Sequence, residues 1–108
     1  MGGKSSKASS EEFGNSSTAT HEVRIQYCGG WGYRKHASAA KDIIVEAFGE
    51  NAFIVFNKDS GITGNLNVTV GKKGTKNFTL VHSKKNGDGL VSDANKDEFI
   101  NKLKSVMK

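Results

Sequence analysis

The sequence predicts a two-layer α/β domain in the order β-α-β-β-β-α, with two helices on a mixed four-stranded sheet. Three observations predict it. Val23-Arg24-Ile25-Gln26-Tyr27 alternates apolar and polar residues, and a helical period follows at once. Ala52-Phe53-Ile54-Val55-Phe56 is an unbroken apolar run, the pattern of a strand buried on both faces. Two further runs, Leu66 to Val70 and Phe78 to His82, flank the polar turn Gly71-Lys72-Lys73-Gly74-Thr75 as the arms of a hairpin do.

Taken in order, residues 1–21 are rich in Ser, Thr and Gly, with Phe13 as their one large apolar residue. Such a stretch cannot bury enough surface to offset its ordering entropy, so a disordered tail is expected there and the domain spans 22–108. After the strand at 23–27, glycines bracket a turn. Ala37, Ala40, Ile44, Ala47 and Phe48 then recur at helical spacing from Tyr33, and Gly49 stands where a C-terminal cap belongs. Asn57 to Gly64 read as loop. In the third strand Leu66, Val68 and Val70 alternate with Asn65, Asn67 and Thr69. Asn86-Gly87-Asp88-Gly89 joins two turn dipeptides, and from Asn95 a last helix sets Phe99, Leu103 and Val106 on one face beside Met107.

The chain has 108 residues, 35% hydrophobic and 25% charged, an ordinary composition for one globular domain. No run approaches the roughly 18 apolar residues of a membrane span. No charged-then-apolar leader opens the sequence, so no secretory signal is expected, and a single cysteine fits a reducing cytosol. That cysteine also forbids a dithiol cycle within the chain. Net charge is +5; Lys4 and Lys7 against Glu11, Glu12 and Glu22 leave the excess on the folded part. Such a surface suits anions: phosphates, acidic membranes or glutathione. Nucleic acid is not expected, because the lysines are scattered and no recognition motif accompanies them. His21, His36 and His82 with Cys28 match no metal-ligand spacing, so no metal is expected. His82-Ser83-Lys84-Lys85 reads as a solvated strand end.

The chemistry centres on Tyr27-Cys28-Gly29-Gly30-Trp31-Gly32-Tyr33. A cysteine between a strand end and a helix start meets free backbone N–H groups and a positive dipole end, which favour thiolate. The glycines let a partner sulfur approach. Arg34, Lys35 and His36 then fall in the first helical turn, where cations oppose the dipole. A thiolate, or the carboxylates of bound glutathione, would offset that cost. The competing reading makes Cys28 a small buried residue and nothing more.

Val23 to Tyr33, together with Val81-His82-Ser83-Lys84-Lys85-Asn86-Gly87-Asp88-Gly89, closely resembles the selenoprotein W-like (Rdx) family, over roughly residues 22–107. The resemblance implies a thioredoxin-like fold and a C-x-x-U or C-x-x-C redox turn. It also implies cytosolic glutathione-linked chemistry with no bound cofactor, and 14-3-3 proteins as partners. In this alignment the family's selenocysteine or second cysteine falls on Trp31. UGA encodes selenocysteine and is read as Trp in some genetic codes, so Trp31 either replaces a selenocysteine or marks a lineage that lost its second redox residue. As written, an indole cannot attack a disulfide, so the chain is monothiol through Cys28 or inactive. Relatives often carry proline in the loop before the third strand; Ser60 falls there.

Met1-Gly2-Gly3-Lys4-Ser5-Ser6 matches the N-myristoylation pattern, with Gly2 as the acceptor. One acyl chain supports reversible peripheral attachment only. Two functions therefore compete: a cytoplasmic glutathione-linked redox protein acting through Cys28, or a membrane-tethered interaction module in which redox state is at most a switch.

Overall fold

The computed structural model describes residues 10–30 and 32–107, so the expectations placed on Gly2 and Trp31 lie outside the described residues. The elements are β1 (Ser10–Phe13), β2 (His21–Tyr27), α1 (Tyr33–Phe48), β3 (Ala52–Lys58), β4 (Leu66–Lys72), β5 (Thr79–Ser83) and α2 (Lys96–Val106). One mixed sheet of five strands runs β1-β3-β2-β4-β5. β2 lies parallel to β3 and antiparallel to β4, and the two outer pairings are antiparallel. α1 packs on β2, β3 and β4; α2 packs on β4, β5 and α1.

The two-layer α/β class is as expected, with one strand more. Ser10 to Phe13, inside the stretch read as tail, pairs with β3 from Ser10↔Asn57 to Phe13↔Ile54. Composition conceals this strand because its ordering is supported by neighbours. Phe13 stands edge-on to Phe56 with ring centroids 4.7 Å apart, and the Lys41 ammonium of α1 sits 4.6 Å from its ring centre. Residues after it are held too: Ala19 is buried, and its N–H donates to the Asn15 carbonyl. The sheet therefore takes in residues before 22.

The apolar run of β3 is buried on both faces over its first half and on one face beyond it. Ala52, Ile54 and Phe56 enter the core, whereas on the opposite face Phe53 is buried and Val55 and Asn57 stay half-buried. Among the described residues, helices cover one face of the sheet only. That core holds Val23, Ile25, Ile44, Phe56, Leu66, Val68, Phe99 and Leu103, all with almost no exposure. Burying one such side chain contributes about 1.5–3 kcal/mol.

In the hairpin, Val68 pairs with His82 but Thr69 with Leu80, so Val81 is an extra residue that bulges the edge strand. A bulge exchanges faces. His82 turns inward, 5.4 Å from the Phe99 ring, while Leu80 turns out to water. Gly49 caps α1 as expected, its N–H donating to the Val45 carbonyl. Among the described residues no helix is long and apolar enough to cross a membrane.

His21, at the start of β2, is 6% exposed; its Nδ1 lies 2.9 Å from the Thr20 hydroxyl and its Nε2 has no partner among the described residues. Burial, and then the nearby Lys72, hold its pKa below the ordinary 6.5. His36 on α1 is lowered in the same way, by burial and then Lys35. An unfolded chain therefore binds more protons than the fold in the window just below pH 6.5, and stability is lost as pH falls through it. The melting temperature should fall between about pH 7.5 and 5.5, and His21→Leu should flatten part of that slope. An unchanged slope in His21→Leu would mean that His21 is charged in the fold.

Candidate functional site

The site lies where the C-terminal ends of β2 and β3 meet. Their parallel register sets Tyr27 beside Lys58, so the turn leaving β2 and the loop leaving β3 start side by side. Three backbone bonds join them: Asp59 N–H to the Tyr27 carbonyl (2.8 Å), Gly29 N–H to Gly61 (2.9 Å) and Cys28 N–H to Asn65 (2.9 Å). Asp59 then gathers the loop. Its carboxylate accepts from Gln26 Nε2 (2.8 Å), Asn65 Nδ2 (3.0 Å) and the Thr63 hydroxyl. These bonds hold its pKa low against the opposing effect of burial.

Gly29 is required by space. A methyl group there would stand 2.3 Å from the Asp59 carbonyl oxygen and 2.8 Å from that of Gly61. Gly32 is required by conformation instead, since its φ of 71° is left-handed as it leads into α1.

Cys28 is the chain's one cysteine and is 2% exposed. Burial raises its pKa, yet donors outweigh burial and leave it below the ordinary value. The Gly30 N–H points at Sγ from 3.4 Å, and the backbone of Gly64 and Thr63 in the loop also lowers the pKa. The Thr63 hydroxyl has a single proton, which the Asp59 carboxylate takes, so the lasting donors to sulfur are main-chain ones.

The expected source of activation, the start of α1, is replaced by this loop. α1 begins at Tyr33, and the N–H groups of Tyr33 and Lys35 are spent on the carbonyls of Gly30 and Gly32. Asp59, Thr63 and Gly64 were not legible as site residues. Their signal is the loop's length and its Asp-x-x-x-Thr-Gly-Asn content, which reads equally well as any polar turn.

A pocket of about 310 Å³ opens over the turn, lined by Glu11, Tyr27, Cys28, Gly30, Tyr33, Arg34 and Lys58 among others. Of the three expected anion contacts only Arg34 lines it. Its guanidinium already holds the Glu11 carboxylate, with the Tyr27 hydroxyl 3.4 Å away. Lys35 points to solvent. His36 stands edge-on to Tyr33, and its lowered pKa leaves it neutral at pH 7. Among the described residues no group of His, Cys, Asp and Glu could hold a metal ion.

Alkylation of Cys28 by iodoacetamide should show an inflection below about 8.5, the free-thiol value. Gly29→Ala should push the loop off the turn, carry the Gly64 and Thr63 N–H groups away from sulfur and raise that inflection. It should also cost about 1–3 kcal/mol of stability. An unmoved inflection in a destabilised Gly29→Ala protein would show that the loop donors do not set the thiol's acidity.

Comparison with known proteins agrees with this geometry. The Rdx family profile matches residues 22–102. Selenoprotein W of Danio rerio is 36% identical over 89 residues, which cover 82% of this chain and 96% of that protein. Selenoprotein W of Mus musculus is 36% identical over 74 residues, covering 68% of this chain and 77% of the mouse protein; the Rattus norvegicus protein gives the same figures. The match begins in β2 and leaves β1 outside it. With the mixed sheet, the parallel β-α-β unit and a cysteine in the turn between β2 and α1, the chain belongs to the Rdx family of selenoprotein W-like, thioredoxin-like redox proteins.

Proposed function

We propose that this protein is a glutathione-linked thiol redox protein whose reacting atom is Cys28 Sγ. One observation carries the reading: the chain's single thiol lies at the floor of a pocket with the Gly30 N–H aimed at it, an arrangement that favours the anion. The thiolate attacks one sulfur of oxidised glutathione. A mixed disulfide forms on Cys28, the glutathione S–S bond breaks, and glutathione thiolate departs with the electron pair. A second glutathione thiolate reverses the step, regenerating Cys28 and oxidised glutathione. Because Cys28 is 2% exposed, a partner reaches its sulfur only after the glycine turn shifts.

A protein disulfide fits the same site. Ile62, 65% exposed, lies against Gly30 and offers an apolar contact beside the turn. This is the observation that favours a protein partner over a small molecule alone, and it leaves the chemistry at Cys28 unchanged.

Position 31 decides whether the adduct is released from within. With Trp31 the chain should take up one glutathione and stall, and intact mass should show a single adduct that persists until external thiol is added. Trp31→Cys should close an internal disulfide, expel the adduct at a rate independent of protein concentration, and gain disulfide-reductase turnover with glutathione. If Trp31→Cys keeps the adduct and forms only intermolecular dimers, the two positions do not face each other. If Cys28 takes no adduct at all, the redox reading fails and the tethered interaction module replaces it.

A further inference from the structure

Three cations or near-cations open α1 with no acidic residue in its first turn, an arrangement that works against the helix dipole. The structure supplies the missing anion from outside the helix. β1 alternates so that Glu11 and Phe13 both face α1: Phe13 reaches Lys41, and Glu11 reaches Arg34. The Glu11 carboxylate thus sits in the wall of the Cys28 pocket, on the one guanidinium there, and it raises the pKa of Arg34 further. Lys58 remains as the other cation of that wall. Glu11 also lies outside the family match at 22–102.

We propose that Glu11 is a specificity-determining residue of the Cys28 pocket: its carboxylate occupies Arg34 in the place an anionic disulfide would use, and so shifts the pocket's preference toward neutral and cationic disulfides. The inference rests on Cys28 being the reacting thiol. An incoming glutathione carboxylate must either displace Glu11 from Arg34 or dock beside a negative charge. A disulfide with neutral or basic flanks meets neither cost, and gains from Glu11 if its flank is cationic. The chemical step is the same for all: the thiolate attacks, the new S–S bond forms, and the leaving thiolate carries off the electron pair of the broken bond.

The effect is electrostatic, at a partly exposed pair, and is therefore modest and salt-dependent. The test measures adduct formation on Cys28 by intact mass at pH 7 and low ionic strength. The probes are oxidised glutathione (anionic), cystamine (cationic) and bis(2-hydroxyethyl) disulfide (neutral). Glu11→Gln should raise the ratio of the glutathione rate to the cystamine rate by about three- to tenfold, and added salt should shrink that change. Adding Arg34→Gln to Glu11→Gln should return the ratio toward wild type, since both partners of the pair are then neutral.

An unchanged ratio would overturn the proposal. So would anionic and cationic rates rising together, because loosening β1 would then merely uncover the turn. A ratio gain that survives loss of Arg34 would also overturn it. In each of these cases Cys28 still reacts and its redox role stands. A wild-type protein that forms no adduct even with the neutral disulfide would remove both readings at once.

Discussion

The parallel pairing of β2 with β3 is the constraint on which the rest of this molecule depends. Parallel neighbours cannot be joined by a tight turn, so the chain must travel the length of the sheet and return, and α1 is that return path. The same register brings the ends of both strands to one edge, with Tyr27 beside Lys58. What leaves those ends has to share the space there. The Cys28 turn and the Asp59–Asn65 loop are consequently packed backbone to backbone, at a separation that only glycine at position 29 permits. A crevice at the carboxyl ends of parallel strands is where α/β sheets generally place their chemistry. Here the crevice is narrow enough that main chain, rather than charged side chains, surrounds the sulfur.

That choice has an electrostatic logic. Main-chain N–H groups are fixed by the fold and need no counter-charge, so they can hold a thiolate without drawing in a competing anion. Side-chain cations near the same place behave otherwise. Arg34 finds a carboxylate from its own chain, and burial, then the adjacent Lys35, lower the pKa of His36. The cationic cluster that the sequence displays at the start of α1 is therefore largely neutralised once folded.

Much of this was legible in the chain. The limits of α1, its glycine cap, the hairpin and the Cys28 turn follow from periodicity and from glycine placement, because those elements are stabilised by residues close in sequence. The features that escaped are ones whose support comes from afar. β1 is held by Phe56 and Lys41, more than twenty-five residues away, and nothing within Ser10 to Phe13 announces it. A sign was present all the same: three basic or near-basic residues in a helix's first turn call for an anion, and Glu11, Glu12 and Glu22 are the acids that precede that helix. The apolar run of β3 foretold burial on both faces only as far as Phe53, since hydrophobic content alone does not say how many layers cover a strand. In β5 the alternation broke at Val81, where the bulge moves Leu80 outside and His82 inside.

The sheet's uncovered face bears on how the molecule meets copies of itself. Glu22 and Arg24 are bonded there at 2.7 Å, the Arg24 guanidinium lies 4.1 Å over the Phe78 ring, and Gln26 is tied to Asn67 at 3.1 Å. Bare sheets attract one another because flat apolar surfaces stack about 10 Å apart with little penalty. Stacking on this face would strip water from a guanidinium, a carboxylate and several amides whose hydrogen-bonding capacity the neighbouring side chains only partly fill. Each group left unsatisfied costs roughly 1–3 kcal/mol. A domain with helices on one side alone can thus remain dispersed at high concentration without a third layer, its exposed strands guarded by their own polar ladder.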